Sequence, residues 1–315
     1  MNHSLLSLRQ CHRIDVDLLR LNPPDLTSMT SVRCVFFFFY AVIFIIGVTG
    51  NVSVILAVIR FPALRTVRNF FIFSLSVSDT MVCIFSLPVS SVTTAFKNWL
   101  FGELLCYVIP LFQGMSIIIS SFTLTSIAID RYILVVHPRR NPINHKTAIS
   151  MIITTWFLAI SISMPSALHY QLVTAQSFRT NWCGYFCVEQ WGGSHNDTSA
   201  RRNRKAYGTA VLLLQFAIPL LICLYCYISI MLSLSRRKYI RDARAAGDQA
   251  SARQLTALRK TKRTNFMCAM MVLVFAASWF LNVLLNIMED YDVFCPFWLR
   301  KQQYFRHFHR STVLQ

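Results

Sequence analysis

Three places in this sequence set acidic side chains where they could do chemistry. Asp79 follows Ser76-Val77-Ser78 within a long apolar block. An aspartate at membrane depth costs about 2.5–3.5 kcal/mol on insertion scales, so it needs partners or a task. Asn51 of Gly50-Asn51 and Ser120 are available from other blocks. The residues fit either a buried polar cluster able to hold a cation such as sodium, or a protonated carboxyl that joins helices by hydrogen bonds. Asp130-Arg131-Tyr132 closes a second block; adjacent opposite charges at a water boundary read by themselves as a helix end with snorkelling side chains. Glu289, Asp290 and Asp292 follow the last block and read by themselves as a solvated helix end.

No nucleophile–base constellation and no phosphate-cradling glycine loop accompanies these groups, so the sequence offers nothing for catalysis and no cofactor is expected. No Cys or His pair has ligand spacing with a second pair nearby, which argues against a structural metal. Of the ten cysteines, Cys83, Cys223, Cys226 and Cys268 lie in apolar blocks and read as small apolar fillers. Cys106 with Cys187, Cys183 with Cys187, and Cys183 with Cys11 all remain open as disulfides at this level.

The elements that must position these groups follow from composition. The chain has 315 residues, 55% hydrophobic and only 14% charged, against about 25% charged in soluble domains. Its apolar residues lie in blocks, and a membrane-crossing helix needs about 20 of them. Six stretches qualify: Cys34–Ile59, Phe70–Val92, Leu104–Val136, Thr147–Leu168, Tyr207–Leu234 and Thr264–Met288. The expectation is an all-α membrane protein, a bundle of transmembrane helices. Residues 1–33 form an outer segment with no apolar signal region, residues 34–290 the membrane domain, and residues 291–315 a basic, aromatic tail.

The net charge of +18 suggests nucleic acid in a soluble protein, but here it follows loop position. Arg60, Arg65 and Arg68 follow the first span, Arg139, Arg140 and Lys146 the third, and a run from Arg236 to Arg263 the fifth. These loops face the cytoplasm, and the N-terminus lies outside a plasma membrane that the chain crosses several times. Arg201, Arg202, Arg204 and Lys205, between the fourth and fifth spans, break this pattern. The sequons at Asn2 and Asn196 fall on the outer side, where glycosylation is possible.

Other residues fall in order along the blocks: Trp99-Leu100-Phe101-Gly102 before Cys106, Trp156 in the fourth, Pro219 with Tyr227 in the fifth, Phe275 and Trp279 in the sixth. Together with Gly50-Asn51, Ser76–Asp79 and Asp130-Arg131-Tyr132 they resemble the rhodopsin-like G-protein-coupled receptors over roughly residues 34–290. Within that family the chain looks most like neuropeptide Y or neuropeptide F receptors, invertebrate ones above all. Gln113 stands where those receptors carry a ligand-facing Gln. Trp279, Asn286 and Asp290 have that subfamily's spacing, and Cys187-Val188-Glu189-Gln190-Trp191 is similar to its outer-loop segment.

The resemblance implies a receptor for a peptide ending in an amidated Arg-aromatic pair, coupled to a heterotrimeric G protein. Asp290 would accept the arginine fork bidentately. Asn286 and Gln113 would hydrogen-bond the terminal amide, beside Trp279, and Glu189 would add negative field at the mouth. Resemblance also pairs Cys106 with Cys187. It gives Asp130 the task of restraining Arg131 until a cleft opens, and Tyr227 that of stabilising the opened form. Tyr132, Asp79, Asn51, Ser120, Pro219 and Phe275 join that activation set.

The chain departs from the family in two ways. Leu281 stands where a kinking proline is usual, so a straighter sixth helix is expected. After Asp290 no apolar run of ~18 residues follows, which reads as a shortened product with weak or no G-protein coupling. Such a product could act as a non-signalling partner of a full-length receptor in a dimer. A six-span channel or transporter is the reading from another class, but no carbonyl filter, sensor helix or inverted repeat supports it.

Overall fold

The computed structural model of the chain describes residues 29–174, 184–192, 198–242 and 251–290. The sequons at Asn2 and Asn196, the cysteines Cys11 and Cys183, Asp292, and the segment 291–315 on which the reading of a missing seventh helix falls lie outside the described residues.

Among the described residues six helices are long and apolar enough to cross a membrane. Helix α1 spans Thr30–Arg60, α2 Val67–Phe96, α3 Gly102–Val136 and α4 His145–Leu168. Helix α5 runs in two pieces, Thr198–Leu212 and Ile218–Asp242, and α6 spans Ser251–Asp290. A two-stranded hairpin, β1 (Tyr170–Thr174) paired antiparallel with β2 (Tyr185–Glu189), lies between α4 and α5. The result is a transmembrane helical bundle, with apolar side chains such as Phe38, Ile46, Phe157 and Leu232 facing outward, as a lipid-facing surface requires.

Local sequence explains where the helices start, stop and widen. Asn144 caps α4 by accepting from the Thr147 N–H at 2.7 Å, and Thr66 accepts from the Asn69 N–H at 3.4 Å to start α2. Helix α2 ends at Lys97 in the left-handed region, φ 51°. Both widened π turns, Val82–Ser86 in α2 and Leu213–Ala217 in α5, come just before a proline, Pro88 or Pro219. Proline lacks an N–H and its ring clashes with the carbonyl four residues back; one extra residue per turn relieves both. No proline occurs in α6, which stays helical through Leu281 to Asp290.

Helix α3 is the axis of the bundle, packing against α2, α4, α5 and α6. Of its most apolar window 44% is buried, against 6% for α1. Close approach of α3 to α4 depends on Gly114: a Cβ there would stand 2.9 Å from Ser163 Oγ. Trp156 Nε1 donates to Ser74 Oγ at 2.8 Å and joins α4 to α2.

Candidate functional site

The hairpin is held over one end of α3. A Cys106–Cys187 disulfide joins α3 to β2 with Cα atoms 5.6 Å apart, which excludes Cys183 with Cys187; a pairing of Cys183 with Cys11 falls outside the described residues. The α2–α3 loop adds a second attachment. The Trp99 N–H donates to the Tyr185 carbonyl at 2.8 Å, and the Tyr185 N–H donates to Asn98 Oδ1 at 2.9 Å. Gly184, at φ 139°, permits that approach, since a Cβ there would lie 2.9 Å from Asn98 Oδ1. Trp99 is buried with Val89, Cys106, Ile109 and Cys187, its Nε1 donating to the Gly102 carbonyl at 2.7 Å.

Glu189, the last residue of β2, ties this hairpin to two helices. Its Oε1 accepts from Ser166 Oγ of α4 at 3.0 Å and from Trp191 Nε1 at 2.9 Å; its Oε2 faces Arg204 Nε of α5 at 3.4 Å. The Glu189 and Arg204 side chains are 12% and 19% exposed, so the pair sits in a largely desolvated place. His169 stacks on Trp191 at 3.8 Å between centroids with the planes 5° apart, while its Nδ1–H donates to the Pro165 carbonyl at 2.6 Å. Tyr207 of α5 packs on Trp191 and donates to the Ile162 carbonyl at 2.6 Å. Burial raises the Tyr170 phenol above the usual tyrosine range, Glu189 adding to the rise and Arg204 opposing it. The negative field expected from Glu189 is thus offset inside the molecule by Arg204.

Below the hairpin, Gln113 is half-buried on α3, two turns from Cys106 on the same face. Asn286 and Asp290 lie one turn apart on α6; their side chains lie outside the described residues. Trp279 and Phe275 are ring neighbours on α6, centroids 6.5 Å apart. Phe275 also borders an apolar cleft lined by Leu124, Phe216, Pro219 and Val272, which puts Pro219 and Phe275 at one junction of α3, α5 and α6.

At the opposite end Asp130 is buried, 2% exposed, and bonded to Arg131, whose Nε lies 3.0 Å from Asp130 Oδ2. Tyr132 points elsewhere: its hydroxyl meets His137 Nε2 at 3.2 Å and the Tyr225 hydroxyl at 3.4 Å. Tyr227 packs between α3 and α6 against Ala128 and Cys268, and its buried hydroxyl has no hydrogen-bond partner among the described residues. The same holds for both side-chain polar atoms of Asn265, which is 4% exposed. Asp79 lies half-buried just before the π turn of α2. Asn51 donates to the Gly47 carbonyl of its own helix at 2.9 Å, and Ser120 is buried on α3. No bond among these three residues is found, and no group of three metal-ligating side chains occurs among the described residues.

Sequence reasoning did not anticipate Ser166, His169, Arg204 or Asn265. Arg204 had a signal, since it belongs to the basic cluster that violates the charge asymmetry of the loops. Asn265 had none, because one amide at the edge of an apolar block looks like any span boundary.

The disulfide-pinned hairpin over a central α3, with Asp130-Arg131-Tyr132 at its far end, defines a class that comparison with known proteins confirms. The chain belongs to the 7 transmembrane receptor (rhodopsin family), which matches residues 50–313; this is a family of receptors rather than enzymes. The chain is similar to Neuropeptide receptor npr-1 of Caenorhabditis elegans, 31% identical over 296 residues, 85% of this chain and 63% of the relative. Neuropeptide receptor 3 of the same organism is 33% identical over 270 residues, 85% of this chain and 69% of the relative. Neuropeptide F receptor of Drosophila melanogaster is 29% identical over 261 residues, 80% and 52% respectively. The chain therefore spans 63%, 69% and 52% of the lengths of these relatives.

Proposed function

We propose that this chain acts as a plasma-membrane receptor for an amidated neuropeptide and passes the binding signal to a heterotrimeric G protein, with its N-terminus and hairpin outside the cell. One observation carries the reading: Gln113 lies two turns beneath the Cys106–Cys187 bond, under a hairpin fixed over α3. A side chain offering both a donor and an acceptor there suits a terminal carboxamide. Asn286 supplies a second amide from α6, with Trp279 as the aromatic floor. Asp290, one turn beyond Asn286, accepts the peptide's arginine through the bidentate geometry that a guanidinium matches.

Agonist binding favours the arrangement in which α6 moves from α3 at the far end, exposing Arg131 to the G protein. In the resting arrangement Asp130 holds Arg131. The junction of Pro219 and Phe275 lies between the ligand and that end. Asp79, Asn51 and Ser120 bias the packing of α1, α2 and α3 across the same interval.

The test is Asp290→Ala in membranes carrying the receptor at matched surface level, read by binding of an amidated peptide ending in Arg-Phe. Truncating one side of a desolvated charge pair weakens binding by roughly 2 kcal/mol or more, about 30-fold. A dissociation constant within twofold of wild type removes Asp290 from the site.

A further inference from the structure

The Glu189–Arg204 pair sets a largely desolvated carboxylate of the hairpin against a guanidinium of α5, whereas Glu103 is exposed on the first turn of α3. The two oxygens of Glu189 are not held alike. Oε1 takes two bonds at 2.9 and 3.0 Å, whereas Oε2 faces Arg204 Nε at 3.4 Å, longer than the ~2.7–2.9 Å of a strong charge-assisted bond. Ser166 and Trp191 therefore fix the orientation of the carboxylate, while Arg204 supplies the charge through a looser contact. Its neighbour Lys205 projects about 100° around the helix from it and does not share its face. A basic residue on the outer side also runs against the charge asymmetry of the chain, and neutralising Glu189 is a task that accounts for it.

We propose that Arg204 determines ligand specificity: by filling the guanidinium berth on Glu189 it stops the pocket from reading a second cationic residue of the peptide. This rests on the reading of Asp290 as the acceptor of the ligand's arginine. With Glu189 occupied from within, one basic position in the ligand is recognised. With Arg204 truncated, Glu189 stays oriented by Ser166 and Trp191, loses its counter-charge in a desolvated place, and becomes a site for any guanidinium that reaches it.

The experiment uses the full chain in nanodiscs, as wild type, Arg204→Ala, Arg204→Lys and Arg204→Ala with Glu189→Gln. The probes are one amidated octapeptide ending in Arg-Phe and otherwise neutral, and a panel carrying a second arginine at each upstream position. Wild type and Arg204→Lys are expected to bind the dibasic peptides within threefold of the monobasic one. Arg204→Ala is expected to prefer at least one dibasic peptide by tenfold or more, and the Glu189→Gln double variant to lose that preference. A dibasic preference that stays flat in Arg204→Ala, or that persists in the double variant, overturns the proposal. A monobasic peptide that fails to bind wild type counts instead against the Asp290 reading. Thermal unfolding without peptide then decides the inference on its own. Ethylguanidinium, compared with tetramethylammonium at equal ionic strength, must raise the Tm of Arg204→Ala by several degrees and leave wild type unmoved; equal effects on both overturn it.

Discussion

The two ends of this bundle tie their polar side chains differently, although buried hydroxyls without a partner among the described residues also occur toward the hairpin, at Ser86, Ser90 and Ser163. At the hairpin end the largely desolvated carboxylate of Glu189 has three partners, Trp99 and Tyr185 are bonded across loop and strand, and a disulfide closes the arrangement. At the far end, among the described residues, the Asp130 side chain bonds its chain neighbour Arg131, and the Tyr227 hydroxyl and the Asn265 amide are buried with no bond. Unpartnered polar groups cost stability in the arrangement where they occur. One end is thus a frame braced by a disulfide, an ion pair and loop–strand hydrogen bonds. The other keeps hydrogen-bonding capacity in reserve, which a rearranged state can use.

Breaking the frame has the largest expected effect. Removal of the 106–187 bond by the paired Cys106→Ser and Cys187→Ser changes leaves no unmatched thiol. It releases a closed loop of 81 residues, worth about 4–5 kcal/mol in the chain-entropy model. Surface-expressed receptor is expected to fall to a small fraction of wild type, and the Tm of the purified protein to drop by about 7 °C. A variant that keeps both within experimental error places the hairpin's stability elsewhere, in the Trp99–Tyr185 contacts.

How much of this contrast could be seen in the sequence depends on what each feature answers to. The helices were legible because a bilayer imposes a length on any apolar run, and the N-terminal cap of α4 is written in Asn144 before His145. The helices exceed the apolar runs at their ends, as α6 does by starting at Ser251 rather than near Thr264, because backbone bonds continue where hydropathy stops. The disulfide partner was not legible from spacing, since three pairings fit the cysteines; which one forms depends on where the hairpin lands. The Glu189 cluster joins residues from α4, β2 and α5, whose convergence is a tertiary fact. Its traces in the sequence were the Cys187–Trp191 segment, which holds Glu189 and Trp191, and a basic cluster on the wrong side.

Filling in the far end sharpens the contrast in the stabilising direction. Asn265→Leu keeps the branched four-atom skeleton of the side chain and removes two buried polar atoms without partners among the described residues. The expected gain is about 1–3 kcal/mol for the resting arrangement, seen as a Tm several degrees higher. Agonist-free nucleotide exchange on a G protein is expected to fall in parallel, because the same change favours the state in which Asn265 is buried. A loss of stability would mean that Asn265 is bonded in the resting state.

Tyr227→Phe is the smallest and most discriminating change. It deletes one oxygen from a side chain packed against Ala128, Cys268 and Phe275 and leaves the ring in place. The hydroxyl makes no bond among the described residues, so its removal is expected to leave stability unchanged or raise it by up to about 1 kcal/mol. Packing alone predicts nothing further. If the opened state uses that hydroxyl, the variant loses a bond only there, and agonist-driven exchange falls about three- to tenfold while peptide affinity changes far less. A variant with wild-type exchange and unaltered Tm shows the hydroxyl to be idle in both states, and the reserve at this end then rests on Asn265 alone.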